Sequence, residues 1–217
     1  MFRWLSKSNR KIFYSDHFAF TQDALDNTLC EIVSKLANSH ELIFLLTHFP
    51  ATFEQYQTLL EERSMDYAIA RDSIDWTTNL ATLRGTDANI RLSLVQTFMS
   101  GICGVEVQQG RDFDISVIIL ERHPLYEMDE QLKRYVKKIP CRAKVGYYLS
   151  FDQPVMNYAI GAGLRVLMQQ FGMSNHSLVT SELICRHVRR RLLKYQSTHS
   201  SRMPTDSPLE WYQVNGE

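Results

Sequence analysis

Two apolar runs constrain this chain most: Leu42-Ile-Phe-Leu-Leu46 and Asp114-Ile-Ser-Val-Ile-Ile-Leu120, each bounded by polar residues. A strand covered on both faces reads as a continuous run of this kind, because neither face can afford alternating polar side chains. Around them the pattern switches to a helical period. Thr21 to Asn38 carries Leu25, Leu29, Ile32, Val33 and Leu36, with Thr21 placed as a cap. Thr52 to Arg63 carries Phe53, Tyr56, Leu59 and Leu60 on one side. Met65–Ala70, Ile90–Phe98 and Val145–Leu149 read as further strands, Trp76–Leu83 and Met128–Lys138 as further helices. Strands alternating with helices predict an α/β domain with a mostly parallel sheet and right-handed crossovers.

After Ser150 only helices follow: Pro154–Gln170, with a break expected at Gly161 and Gly163, and Ser181–Gln196. From Ser197 the chain turns polar and proline-bearing, which predicts mobility. The expected organisation is an α/β domain over residues 1–152, a helical extension over 153–197 and a mobile tail over 198–217.

The 217 residues suffice for one substantial core. With 24 basic and 24 acidic residues the formal net charge is zero, so an electrostatic partner must be recruited by a local patch. No apolar run approaches the ~20 residues that span a bilayer, and Met1-Phe-Arg-Trp-Leu-Ser-Lys7 lacks the apolar core of a secretory signal. The four cysteines, Cys30, Cys103, Cys141 and Cys185, form no CxxC pair, which predicts neither a zinc site nor a disulfide framework and fits the cytoplasm.

The chemistry-bearing stretch is Glu121-Arg122-His123, then Asp129, then Gln131-Leu132, followed by Tyr148-Leu149-Ser150-Phe151. This order and spacing resembles the second nucleotide-binding half of the SecA preprotein translocase ATPase family, where E-R-H-x5-D-x-Q-L leads through a glycine- and arginine-rich motif into F-Y-L-S. Ser116 to Leu132 aligns with the family without gaps, and Leu167-Met-Gln-Gln-Phe-Gly-Met173 echoes its L-M-x-x-L-G-M. The resemblance covers roughly residues 12–196. It implies a RecA-like, P-loop NTPase-type three-layer sandwich of the helicase C-terminal kind, with a C-terminal helical extension. It also implies that Glu121, Arg122, His123 and Asp129 are structural anchors, with Glu121 and Arg122 pairing or capping the following helix.

The departures bear on function. In register, the family's phosphate-reaching arginines fall on Tyr135 and Lys138, and its glycines on Arg134 and Lys137. Lysine supplies charge without the bidentate fork that holds a transferring phosphoryl group, and loss of an arginine finger costs ~10³-fold or more in turnover. Gln96 to Gly101 replaces the next family motif, and Arg84-Gly-Thr-Asp87 reads as a surface turn. No G-x-x-x-x-G-K-[ST] occurs in the chain. The resemblance therefore implies a degenerate motor half that is not an enzyme, holds no cofactor or metal, and binds ATP, if at all, with a partner present.

Three functions follow as expectations. The first is a protein-interaction module linked to protein translocation, with the Tyr135–Arg142 loop as a contact. The second is a motor half that completes an ATPase site in trans, with Gln131 and Lys138 as remaining nucleotide contacts. The third is nucleic-acid binding through two basic clusters, Lys133, Arg134, Lys137 and Lys138 on one helix, and Arg186, Arg189, Arg190, Arg191 and Lys194 on another. A basic helix end is also what the helix dipole favours. The carboxylate pairs Glu61/Glu62 and Asp72/Asp75 read as solvated surface.

Overall fold

A computed structural model describes residues 12–39, 42–72, 88–101, 114–139, 141–170, 178–199 and 202–216. The element order is β1 (Phe13–Ala19), α1 (Gln22–Asn38), β2 (Leu42–Thr47), α2 (Pro50–Glu62), β3 (Tyr67–Ile69), β4 (Ile90–Leu94), α3 (Val95–Met99), β5 (Asp114–Ile119), α4 (Tyr126–Val136), β6 (Arg142–Ser150), α5 (Pro154–Gln170), α6 (Glu182–Thr198) and α7 (Pro208–Asn215). The helix expected over 76–83 and the turn at 84–87 lie outside the described residues.

The six strands form one sheet in the order β1-β6-β5-β2-β4-β3, and every pairing is parallel. The expected class, an α/β sandwich with a mostly parallel sheet, is the one observed. The apolar runs explain it. Side chains alternate across a strand, so Leu42, Phe44 and Leu46 enter one core while Ile43 and Leu45 enter the other. Ile115, Val117 and Ile119 join the first, and Ile118 and Leu120 the second. The second core is closed by Leu29 and Val33 of α1 and Tyr56 and Leu60 of α2. Leu132 and Val136 of α4, four residues of α5, and Ile184, Val188 and Leu192 of α6 close the first.

Two expectations are corrected, and one unforeseen strand is added. Phe13–Ala19 is a strand that no apolar run announces: it is a sheet edge, and from Tyr14 to Ala19 only Phe18 and Ala19 reach the core. The strand expected over Ile90–Phe98 ends at Leu94, and α3 begins at Val95. The helices after Ser150 pack directly on the sheet, with Val155, Met156, Ala159, Ile160 and Ile184 in the same core as β5.

The tail expected to be mobile is packed over residues 202–216. Ser207 caps α7, its Oγ accepting from the Glu210 N–H at 3.1 Å, and Trp211 is 2% exposed. The break in α5 falls at Gly161, whose φ of 68° is open to glycine and strained for any other residue.

Candidate functional site

In a parallel sheet all strands end at one edge, and ligands of open α/β sheets bind outside that carboxyl edge, where the chain reverses direction across the sheet. Here β2 is the reversal point: α2 leads from it towards β3 and β4 on one side, while β5 and β6 continue on the other. His48 and Phe49 follow β2, Gln96 follows β4, and Glu121, Arg122 and His123 follow β5. The motif anchors therefore sit at the position where a ligand is expected.

Glu121 is 2% exposed and turned towards α2. Its Oε1 accepts from the N–H groups of His48 at 2.7 Å and Phe49 at 2.9 Å, and its Oε2 accepts from Thr52 Oγ1 at 2.7 Å. Burial raises its pKa against the pull of nearby His48 and these donors. Glu121 thus caps the preceding helix, not the following one, because Phe49 has no side chain that could cap. A carboxylate of the chain itself occupies the anion position of this helix N-terminus. The Ala51 N–H there is taken by the Asp206 carbonyl at 2.9 Å.

Arg122 does not pair with Glu121. Its Nη1 donates to Asp129 Oδ2 at 2.7 Å, its Nη2 pairs with Asp16, and its guanidinium lies 3.8 Å over the Tyr147 ring centroid. Burial works against its charge, but Asp129 and Asp16 outweigh that and raise its pKa. Asp129 is fully buried, and Arg122 and His48 hold its pKa down at about 2 despite desolvation. His48 Nε2 lies 3.3 Å from Asp129 Oδ1.

His123 accepts the Leu125 N–H on Nδ1 at 3.0 Å, so its neutral form carries the proton on Nε2. Burial, and then His48, push its pKa down to about 3. Its ring stacks on Phe49 at 5.4 Å between centroids and meets the edge of Trp211 at 5.7 Å.

Among the described residues two crevices lie at this edge, both roofed by the C-terminal segment. One, of about 300 Å³, lies among His48, Phe49, Gln96, His123, Arg202 and Trp211. The other, of about 410 Å³, lies among Gln22, Thr52, Arg122, Asp152, Gln153 and Pro208. The roof is tied down at two polar points, Arg202 pairing with Glu127 at 2.8 Å and the Asp206 carbonyl accepting from Ala51. It is braced within itself by Asn215, which bonds both the N–H and the carbonyl of Met203 at 2.8 and 3.1 Å. The side chains of His48, Asp129 and Arg122 are at most 5% exposed, so the crevices reach little of them. Among the described residues no group of three or more His, Cys, Asp or Glu could hold a metal ion.

The two residues expected to contact nucleotide do not join this site. Helix α4 runs from the carboxyl edge back to the amino edge, where β6 begins. Gln131 lies mid-helix, half-buried, its Nε2 donating to Glu127 Oε1 at 3.4 Å. Lys138 is exposed beyond the far end of α4, and neither residue lines either crevice. The two basic clusters do meet. Lys133, paired with Glu130 at 3.0 Å, and Arg189 lie 5.5 and 5.4 Å from the Tyr126 ring centroid. Arg134, Lys137 and Arg190 are exposed.

Asp16, His48, Tyr147 and Trp211 complete the site, and the motifs do not announce them. A carboxylate in the middle of the Phe13–Ala19 strand is the one local signal, since a charge there calls for a partner.

No family model matches the sequence, and no curated protein matches it. Among solved structures the chain is similar to the C-terminal part of the Fun30 ATPase domain, at a TM-score of 0.41 and 11% sequence identity, over 77% of this chain and 53% of that one. The chain spans about half the length of that structure. A likeness this distant says nothing about chemistry. Among the described residues no helix is long and apolar enough to cross a membrane.

Proposed function

We propose that this chain is a non-catalytic, SecA-like module that binds a protein partner in protein translocation, from the cytoplasm and without nucleotide or metal. The observation that carries the reading is the filled carboxyl edge. Glu121 takes the helix N-terminus where a phosphate would sit, and residues 202–216 roof the crevice. A nucleotide would have to displace a buried carboxylate that accepts three hydrogen bonds. The SecA likeness of Glu121 to Leu132 supplies the link to translocation.

Titration calorimetry of ATP and ADP with magnesium, up to millimolar nucleotide, tests the first half of the reading. No heat is expected. Micromolar binding lost in Lys138→Ala would instead identify a working motor half. Crosslinking in the native host, followed by reconstitution with the purified candidate, tests the second half. A chain that yields no reconstitutable partner is not an interaction module.

A further inference from the structure

We infer that the outward face of α6 is the docking surface for an acidic, leucine-bearing helical segment of a protein partner. This deepens the interaction-module reading and rests on it.

Helix α6 buries Ile184, Val188 and Leu192 in the sheet's core and Tyr195 against Trp211. At 3.6 residues per turn the opposite side carries Leu183, Arg186, Arg190, Leu193 and Lys194. Leu183 is 76% exposed and Leu193 43%. They stand ten positions apart, about 15 Å along the axis, with the two arginines between them. The helix holds five Arg or Lys and a single acid, Glu182, which pairs with Arg186 at 2.5 Å. On its flanks Arg189 leans over Tyr126 and Arg191 over Tyr158. Arg190 and Lys194 are exposed, and the exposed Arg134 and Lys137 of the adjoining α4 add charge of the same sign.

In a chain of zero net charge this is a local excess, and it is complementary to carboxylates. Four of the five cations are arginine, whose fork fits a carboxylate bidentately. The leucines decide between partners. A phosphate backbone has no use for two exposed leucines, and this face carries no aromatic platform for bases. A helix lying on a membrane buries a broad apolar face, but the broad apolar face of α6 is spent on the core. Leucines spaced at turns with charges between them fit the side of a second amphipathic helix.

The test is fluorescence anisotropy of the full chain with a synthetic helical peptide carrying leucine at alternate three- and four-residue spacing and glutamate between. A scrambled peptide of equal composition, a single-stranded RNA oligonucleotide and phosphatidylglycerol vesicles serve as comparisons. The patterned peptide is expected to bind at least ~10-fold more tightly than the scrambled one. Arg186→Glu with Arg190→Glu should weaken it ~10-fold or more, and Leu183→Ser with Leu193→Ser several-fold. All four positions are exposed and the Arg186–Glu182 pair is a surface one, so the melting temperature should move little.

Binding that ignores the leucine substitutions or the scrambling would be bare polyanion attraction and overturns the inference. Tighter binding of RNA or vesicles overturns it as well. If the peptide fails to bind while a reconstituted partner still binds the Arg186→Glu/Arg190→Glu chain, this surface is wrong and the interaction-module reading stands.

Discussion

Arg122 rests on Tyr147, its guanidinium carbon 3.8 Å from the ring centroid, with Asp129 and Asp16 as its two carboxylate partners. The contact joins the loop after β5 to strand β6, and through Asp16 to β1. The most conspicuous arginine of the sequence motif therefore serves as a buried bracket between strands.

Replacing Arg122 by Met should cost about 3–5 kcal/mol, because it leaves Asp129 charged, buried and short of its main partner. Arg122→Lys should recover only part of this, since an ammonium lacks the fork that serves two carboxylates. Urea unfolding measures both. A loss below about 1 kcal/mol for Arg122→Met would mean the bracket is not structural.

Acid should lower stability over two pH windows. His123 has a folded pKa of about 3, below the ~6.5 of an unfolded histidine. Its contribution is complete above ~6.5 and is lost as pH falls from there towards 3. Asp129, at about 2 when folded against ~3.9 unfolded, adds a loss in the same direction between ~4 and 2. His123→Phe should flatten the stability profile between pH 6.5 and 4 and leave the lower window intact. An unchanged slope in the variant would show that His123 is not buried in its neutral form.

Glu121→Ala should leave the His48 and Phe49 N–H groups and the Thr52 hydroxyl without their acceptor. The expected destabilisation is at least ~2 kcal/mol, with faster hydrogen exchange at those two amides. Wild-type exchange there would place the carboxylate elsewhere.

Trp211→Ala should cost about 3–5 kcal/mol, the range for a buried aromatic, because Trp211 fills the space between His123 and Tyr195. A chain as stable as wild type would mean that the roof contributes nothing to the fold.

What could be read from the sequence was what repeats. The runs at Leu42–Leu46 and Ile115–Leu120 and the spacing of α1 announce a parallel sheet covered on both faces, because burial there is continuous. Thr21 and Gly161 announce a cap and a break by their own local chemistry. What could not be read depends on distance. Strand β1 is held by backbone pairing to β6, and a polar edge strand has no pattern to show. The roof is polar along 197–206 and anchored by one tryptophan, so its composition resembles a loose tail. Glu121 and Arg122 are neighbours in sequence, yet they turn to α2 and to Asp129, and nothing in the dipeptide says so.

The pairing of β1 with β6, from Phe13 beside Lys144 to Ala19 beside Ser150, also sets an order of assembly. Among the described strands, the first in the chain pairs only with the last and has no place in the sheet until that one exists. On the ribosome, residues 13–19 must wait for nearly the whole sheet to emerge, a long-range closure of the kind that slows folding. Until they arrive, the nine residues of β6 form an unguarded edge open to strands of other chains.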